Sequence, residues 1–366
     1  MQAGEFRVLA INPGSASTKI AVYLNEQPEL VRNLNHSDSE MEPFFGRPIL
    51  DQLEFRQRKI EEELCAAGYE LKQLQAVAGR GGMTRPLASG TYRVNEATLD
   101  DLRQTRYGEH ASNLGAFLAQ AIAQKADVEA FIVDPVGVDE WTTRARISGS
   151  ALVDRLCMSH ALNMKAVAKR YAREQGRTYP ALRLVVAHLG SGISVSAHAG
   201  GRMVDVNSAG QEGTFSTERS GGLPLRKVIQ LCFSGKYTEP QLWNLFNREG
   251  GIYSYLGTKD LREVERRIAA GDGKAALVFD ALVYQIAKDI GAMATVLNGS
   301  LDAILLTGGM AHSQKLVEQL RPAIQWIAPV AVYPGEDELQ ALAEGVLRVL
   351  RHEEQARELE SHAPDY

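Results

Sequence analysis

The run from Leu9 to Leu24, Leu-Ala-Ile-Asn-Pro-Gly-Ser-Ala-Ser-Thr-Lys-Ile-Ala-Val-Tyr-Leu, sets a tight polar turn between two short apolar stretches. That pattern reads as a β-hairpin. The same plan returns nearly half the chain later: Leu184 to His188, then Gly190-Ser191-Gly192, then Ile193 to His198. A strand, a Gly-Ser turn and a second strand, once in each half, predict a duplicated α/β unit in which each copy offers a hairpin turn to one cleft. Gly14 lets the backbone approach a ligand closely, and exposed N–H groups with Ser hydroxyls hold phosphate oxygens. Asn12 and the hydroxyls also suit a hard cation, which takes oxygen ligands. The Walker loop is a different object, because it needs Gly, four residues, Gly-Lys-Ser/Thr and a helix behind it.

At 366 residues the chain exceeds one ordinary domain. The expected division is an N-terminal α/β domain over 1–182, with the last helix packing back on it. A C-terminal nucleotide-binding α/β domain over 183–350 and a polar tail over 351–366 follow. A net charge of −5 gives no bulk attraction to nucleic acid or an anionic membrane. Cys65, Cys157 and Cys232 are odd in number and far apart, so they suggest neither a disulfide framework nor a zinc site. Met1-Gln2-Ala3-Gly4 shows no leader pattern, and the long apolar segment Ala275 to Leu297 is broken by Asp280, Lys288 and Asp289. A cytoplasmic protein is expected.

Between the two hairpins, Glu54 to Ala67 reads as a charged helix, and the apolar run Ala76 to Ala78 opens into Gly79-Arg80-Gly81-Gly82. Asn95 reads as a helix N-cap, and the strand Glu129 to Val133 ends in Asp134-Pro135. An Asp at such a strand end often faces the ligand crevice of an α/β protein. Gly210 to Pro224 is a long Gly- and hydroxyl-rich loop carrying Arg219, and loops of that composition and length are often functional. The strand Ala303 to Leu306 runs into Thr307-Gly308-Gly309-Met310 with a helix behind, an arrangement that lays backbone against an adenosine or a phosphate.

Four segments, Asn-Pro-Gly-Ser-x-Ser-Thr-Lys, Gly-Glu-His-Ala-Ser-Asn-Leu-Gly from Gly108, His-Leu-Gly-Ser-Gly-Ile-Ser and Leu-Thr-Gly-Gly-Met-Ala, occur together and in order. Together they resemble the acetate kinase family of the sugar kinase, heat-shock ATPase and actin superfamily, from Val8 to about Leu350. The resemblance implies a duplicated ribonuclease H-like, actin-like ATPase fold. It also implies transfer of the ATP γ-phosphoryl to a short carboxylate with Mg2+, reversibly, through an acyl phosphate, and a homodimer or higher oligomer. Carried over by position, Asn12, Ser15 and Ser17 match the first phosphate loop and its metal site. Arg80 matches the arginine on the substrate carboxylate, His110 a histidine lining the substrate site, Asp134 the cleft aspartate, and His160 a histidine near the transferred phosphoryl. His188, Gly190, Ser191 and Gly192 match the second phosphate loop, and Arg219 the second active-site arginine. Asp260 and Arg262 match a nucleotide-binding pair, and Gly308 with Gly309 the adenosine turn. Glu338 matches the metal-linked glutamate, with Glu336 and Asp337 as open alternatives. Pro13 after the loop Asn and the Gly-Gly after Arg80 depart from the acetate branch in the manner of the butyrate branch. Chain length and branching of the acid, butyrate or isobutyrate for example, stay open.

A short carboxylic acid, with a pKa comparable to the ordinary value of about 4.3 for Glu, is already ionised at pH 7, so the reaction needs no general base. The obstacle is bringing an anion to a polyanion, and cations answer it: Arg80 as a planar fork on the carboxylate, Arg219 on the migrating group. A sugar kinase of the same superfamily would need a base for a neutral hydroxyl. A nucleotide-switched binding protein would bind ATP without acyl transfer.

Overall fold

The computed structural model describes residues 4–360. The expectations that touch residues 1–3, the lack of a leader, and 361–366, the end of the polar tail, lie outside the described residues. The chain separates into two compact units: one runs up to Asp139 and is completed by the segment from Asp337 onward, and the other is Glu140–Glu336.

In the first unit, β1 (Arg7–Pro13), β2 (Ser17–Leu24) and β3 (Gln27–Asn35) form an antiparallel meander, followed by the short helix α1 (Asp38–Met41) and by α2 (Leu53–Ala66). Then come β4 (Ala76–Arg80), β5 (Thr91–Arg93), α3 (Glu96–Arg103), α4 (Leu114–Ala126) and β6 (Glu129–Val133). The sheet order is β3-β2-β1-β4-β6-β5, with β1, β4 and β6 parallel. The parallel strands read as near-continuous apolar runs because both faces are covered. On one side lie α2 and α4, whose Ile60, Leu64, Leu114, Leu118 and Ile122 meet Leu9, Ile11 and Val77. The C-terminal helix, Glu338–Leu350, packs on β1, β4 and β6. Asn95 caps α3 through a bond from the Thr98 N–H.

The second unit repeats this plan. Helix α5 (Ala161–Glu174) precedes the meander β7 (Leu184–Leu189), β8 (Ile193–Ala199) and β9 (Arg202–Val206). The helices α6 (Leu225–Cys232), α7 (Glu239–Asn247), α8 (Gly251–Leu256), α9 (Leu261–Ala269) and α10 (Gly273–Val296) follow. The unit ends with β10 (Ala303–Gly308), α11 (Gln314–Ile324) and β11 (Val330–Pro334). The order β11-β10-β7-β8-β9 matches β6-β4-β1-β2-β3 strand for strand, parallel and antiparallel pairs included. Even the bulge recurs, at Val22/Tyr23 in one outer pair and Ala197/His198 in the other. Both sheets are open, and the expected duplicated α/β fold is what the chain forms. The expected domain boundary at residue 182 falls inside this unit: residues 140–182 join it because α5 packs on β7 and β10. No helix among the described residues is long and apolar enough to cross a membrane.

Candidate active site

In the first unit the β1–β2 turn stays polar because its neighbours consume its carbonyls. The Gly14 N–H donates to Ser17 O at 2.8 Å, and the His36 N–H to Ala16 O at 2.9 Å. Arg56, fully buried on α2, donates to Ser15 O at 3.0 Å and to Ser17 O at 2.8 Å. Ser15 is exposed and Ser17 half-buried. Among the described residues their hydroxyls make no hydrogen bond. Asn12, at the end of β1, donates to Glu338 at 2.5 Å. Glu338, the buried first residue of the C-terminal helix, also forms an ion pair with Arg80 at the end of β4. Thus Asn12, Arg80 and Glu338, which are far apart in sequence, meet at one point. The Arg80 guanidinium already holds a carboxylate there, the group type a substrate acid presents.

Asp134, the residue that follows β6, takes a left-handed conformation, φ +38°, that an L residue occupies at a cost. Its carboxylate accepts from the Ser89 hydroxyl at 2.5 Å and the Gly90 N–H at 2.9 Å, which hold it in place. His110 is exposed and bonds through Nδ1 to Ser112 at the turn that opens α4. In that turn Asn113 accepts from the Met83 N–H at 3.0 Å and lies against Gly82. The turn that His110 opens thus lies against the Gly82-Met83 segment that follows Arg80, and it also contacts β1.

In the second unit His160, His188, Gly192 and Arg219 come together. The His160 and His188 rings stack at 3.8 Å, 6° from parallel. Asn163, one turn along α5 from His160, donates to His188 Nδ1 at 2.8 Å and to Thr307 at 3.1 Å. In neutral His188 the proton therefore sits on Nε2, which faces Glu336 at 3.2 Å. Glu336 is thus committed to this unit, whereas Glu338 meets Asn12, and Asp337 is exposed. A Cβ at 192 would lie 2.8 Å from the Arg219 Nη1 and 3.2 Å from His160, so a larger residue would displace the Arg219 guanidinium. Burial pulls the Arg219 guanidinium below the ordinary arginine range, and Glu218 works against that shift. Its turn is held by the Ser216 hydroxyl, which accepts from the Arg219 N–H at 3.0 Å and donates to Ser191 O.

A cavity of about 860 Å³ adjoins this cluster and is lined by Gly190, Ser191, Asp260, Arg262, Gly309 and His312, among others. Its volume suits a nucleotide. Asp260 caps α9 and pairs with Arg262 at 2.8 Å. Gly308 does not line it; φ is +89° and a Cβ would strike Leu189 O, so this glycine lets β10 turn tightly past β7. Residues that reading for motifs missed are the supports: Arg56, Ser89, Asn163 and Ser216. Arg56 had a signal, since Arg56, Ile60 and Leu64 recur at helical spacing on one buried face.

A model of the acetokinase family matches residues 152–332. A probable butyrate kinase of Listeria monocytogenes serotype 4a is 49% identical over 354 residues, 96% of this chain and 99% of that protein. Among solved structures, Porphyromonas gingivalis acetate kinase superposes with a TM-score of 0.76 at 18% identity, over 94% of this chain and all of that one. A propionate kinase of Francisella tularensis superposes with a TM-score of 0.70 at 17% identity, over 93% and 98%.

Proposed function

The chain belongs to the acetokinase family, and from that premise we propose that it moves a phosphoryl group reversibly between ATP and butyrate. The observation that carries the reading is the meeting of Asn12, Arg80 and Glu338 beside a phosphate-type turn, in a chain 49% identical to a probable butyrate kinase. Isobutyrate or another branched short acid is the alternative acceptor.

The carboxylate enters as an anion and needs no proton removed. Arg80 orients it through a bidentate fork, in exchange for the Glu338 carboxylate it now holds. Asp134, fixed by Ser89 and Gly90, positions a neighbouring water or histidine rather than accepting a proton. The turn from Asn12 to Ser17 meets the migrating phosphoryl, and His110 lines the acid's side. In the second unit the 860 Å³ cavity takes the nucleotide, with Asp260 and Arg262 at its edge and Gly309 under the adenosine. Gly190, Ser191 and Gly192 face its phosphates, and Arg219 with His160 and His188 stabilises charge on the group in flight.

The oxygen-bearing pair Asn12 and Glu338 fits a hard divalent cation. Among the described residues no three acidic, His or Cys side chains gather into a cage, which suits an ion that keeps waters and substrate oxygens as ligands. Magnesium, when bound, offsets polyphosphate charge. We assign its protein contacts to Asn12 and Glu338. We also propose a cytoplasmic homodimer, supported by the three free cysteines and by α6, which buries none of its residues and exposes Leu225 and Ile229.

The test is hydroxamate trapping of acyl phosphate with Mg-ATP and acetate, propionate, butyrate, isobutyrate or valerate. Activity should peak at four carbons, and Arg80→Ala should lower the rate by about 10³ or more. ATP binding with no hydroxamate from any acid would refute the proposal in favour of a nucleotide-switched binder.

A further inference from the structure

Arg56 is fully buried, yet the reaction outlined above gives it no task. All five of its N–H donors are used. Nε and Nη2 donate to Gln52 Oε1 at 2.9 and 2.8 Å, and Nη1 donates to Ser17 O at 2.8 Å and Thr18 Oγ1 at 2.9 Å. Nη2 also donates to Ser15 O at 3.0 Å. Every acceptor is neutral. Buried guanidinium groups are ordinarily paired with a carboxylate, because an isolated buried charge is costly. The pair Arg85–Asp101 in the same unit shows the ordinary solution, with both partners largely buried. Burial lowers the Arg56 pKa to about 10, so the group still carries its charge at pH 7. His36, which shares the Thr18 hydroxyl at 2.9 Å, is pushed down to about 4 by burial and by Arg56, and is neutral there. The cation directly beneath the β1–β2 turn is therefore Arg56.

We infer that Arg56 is a positioning residue for phosphoryl transfer: it clasps the turn by two of its carbonyls and lends an unpaired positive charge that the migrating phosphoryl balances. The inference rests on the carboxylate-kinase reading. In that setting a carboxylate partner would cancel the charge before the ligand arrived. The amide of Gln52 does not, and it fixes the same fork. The anion completes the pair from the solvent side, where Ser15 is exposed.

The discriminating variant is Gln52→Glu, which is nearly isosteric and gives Arg56 a carboxylate without breaking the clasp. Arg56→Lys, which keeps the charge and loses the fork, accompanies it. Melting temperature, KM and kcat with butyryl phosphate and with Mg-ATP, and the Kd for ADP by calorimetry are read for each. ADP lacks the migrating phosphoryl and serves as the internal control. We expect Gln52→Glu to melt at or above the wild-type temperature, with KM for butyryl phosphate raised at least about tenfold and ADP affinity within twofold of wild type. Arg56→Lys should keep more of the butyryl phosphate affinity than Gln52→Glu does, with a lower kcat. Wild-type kinetics in Gln52→Glu, or equal losses in ADP and butyryl phosphate affinity, would overturn the inference and leave Arg56 as a purely structural clamp. A wild-type protein that forms no acyl phosphate with any acid fails at the earlier step, and removes the premise before any variant is assayed.

Discussion

Burial and the Arg56 guanidinium pull the His36 imidazole to about 4, and burial beside Lys165 pulls His198 to about 3. His198 is enclosed by Tyr179 at 2.7 Å and Ser196 at 2.6 Å. Both values lie below the ordinary 6.5, so the unfolded chain takes up these protons first. The stability they secure is complete above pH 6.5 and is lost as pH falls through 4 and then 3. Urea unfolding followed from pH 7 to pH 4 should show a loss on the order of a few kcal/mol, and His36→Gln should flatten that slope. Residue-scale legibility followed chemistry on loops. Asn12, Arg80 and the two Gly-Ser turns stand out because polar residues at strand ends have few other uses, and Arg219 because it is a cation in a long Gly- and hydroxyl-rich loop. Their supports stood out less: Asn163 and Ser216 sit in ordinary helix and loop context, and Arg56, although its helical spacing marks a buried face, acquires its role only through the β1–β2 turn 39 to 41 residues earlier.

At the scale of elements, α4 lies on β4 where two glycines face each other. A Cβ on Gly79 would fall 2.0 Å from the Gly115 carbonyl oxygen, and one on Gly115 would fall 2.1 Å from the Arg80 carbonyl oxygen. Backbone on backbone cannot relax by a rotamer change. Gly79→Ala should therefore lower unfolding stability by about 1–3 kcal/mol or more, measured by urea denaturation. Arg80 adjoins the contact, so activity should fall along with stability. The pairing of hairpin with hairpin was legible because a Gly-Ser turn between apolar strands is a local signal repeated twice. The duplication extends further than those letters suggest: five strands correspond in order and direction, and so does a bulge. The division of the chain was less legible. No composition shift marks Asp139, and α5 joins the second unit through packing on β7 and β10 that its own amphipathic pattern leaves unspecified.

For the whole molecule, α6 and its surroundings expose Leu225, Ile229, Phe233 and Trp243, at 73%, 49%, 87% and 61%. So many large apolar side chains in one stretch are what a self-association surface needs. Sedimentation equilibrium should give twice the chain mass of 40.1 kDa, and Ile229→Glu with Phe233→Glu should return it to a single chain. A single-chain mass for the unaltered protein would count against the dimer. The return of the C-terminal helix to the first sheet has a consequence for biosynthesis. The Glu140–Glu336 unit is one uninterrupted stretch, so it can acquire its structure while the ribosome is still adding residues. The first unit begins earlier but lacks its final layer until the helix Glu338–Leu350 has been made, and Asn12 must wait for a partner made 326 residues later. The unit begun first is therefore the unit completed last, and a nascent chain released before residue 338 would carry a whole Glu140–Glu336 unit and a first sheet without its C-terminal helix.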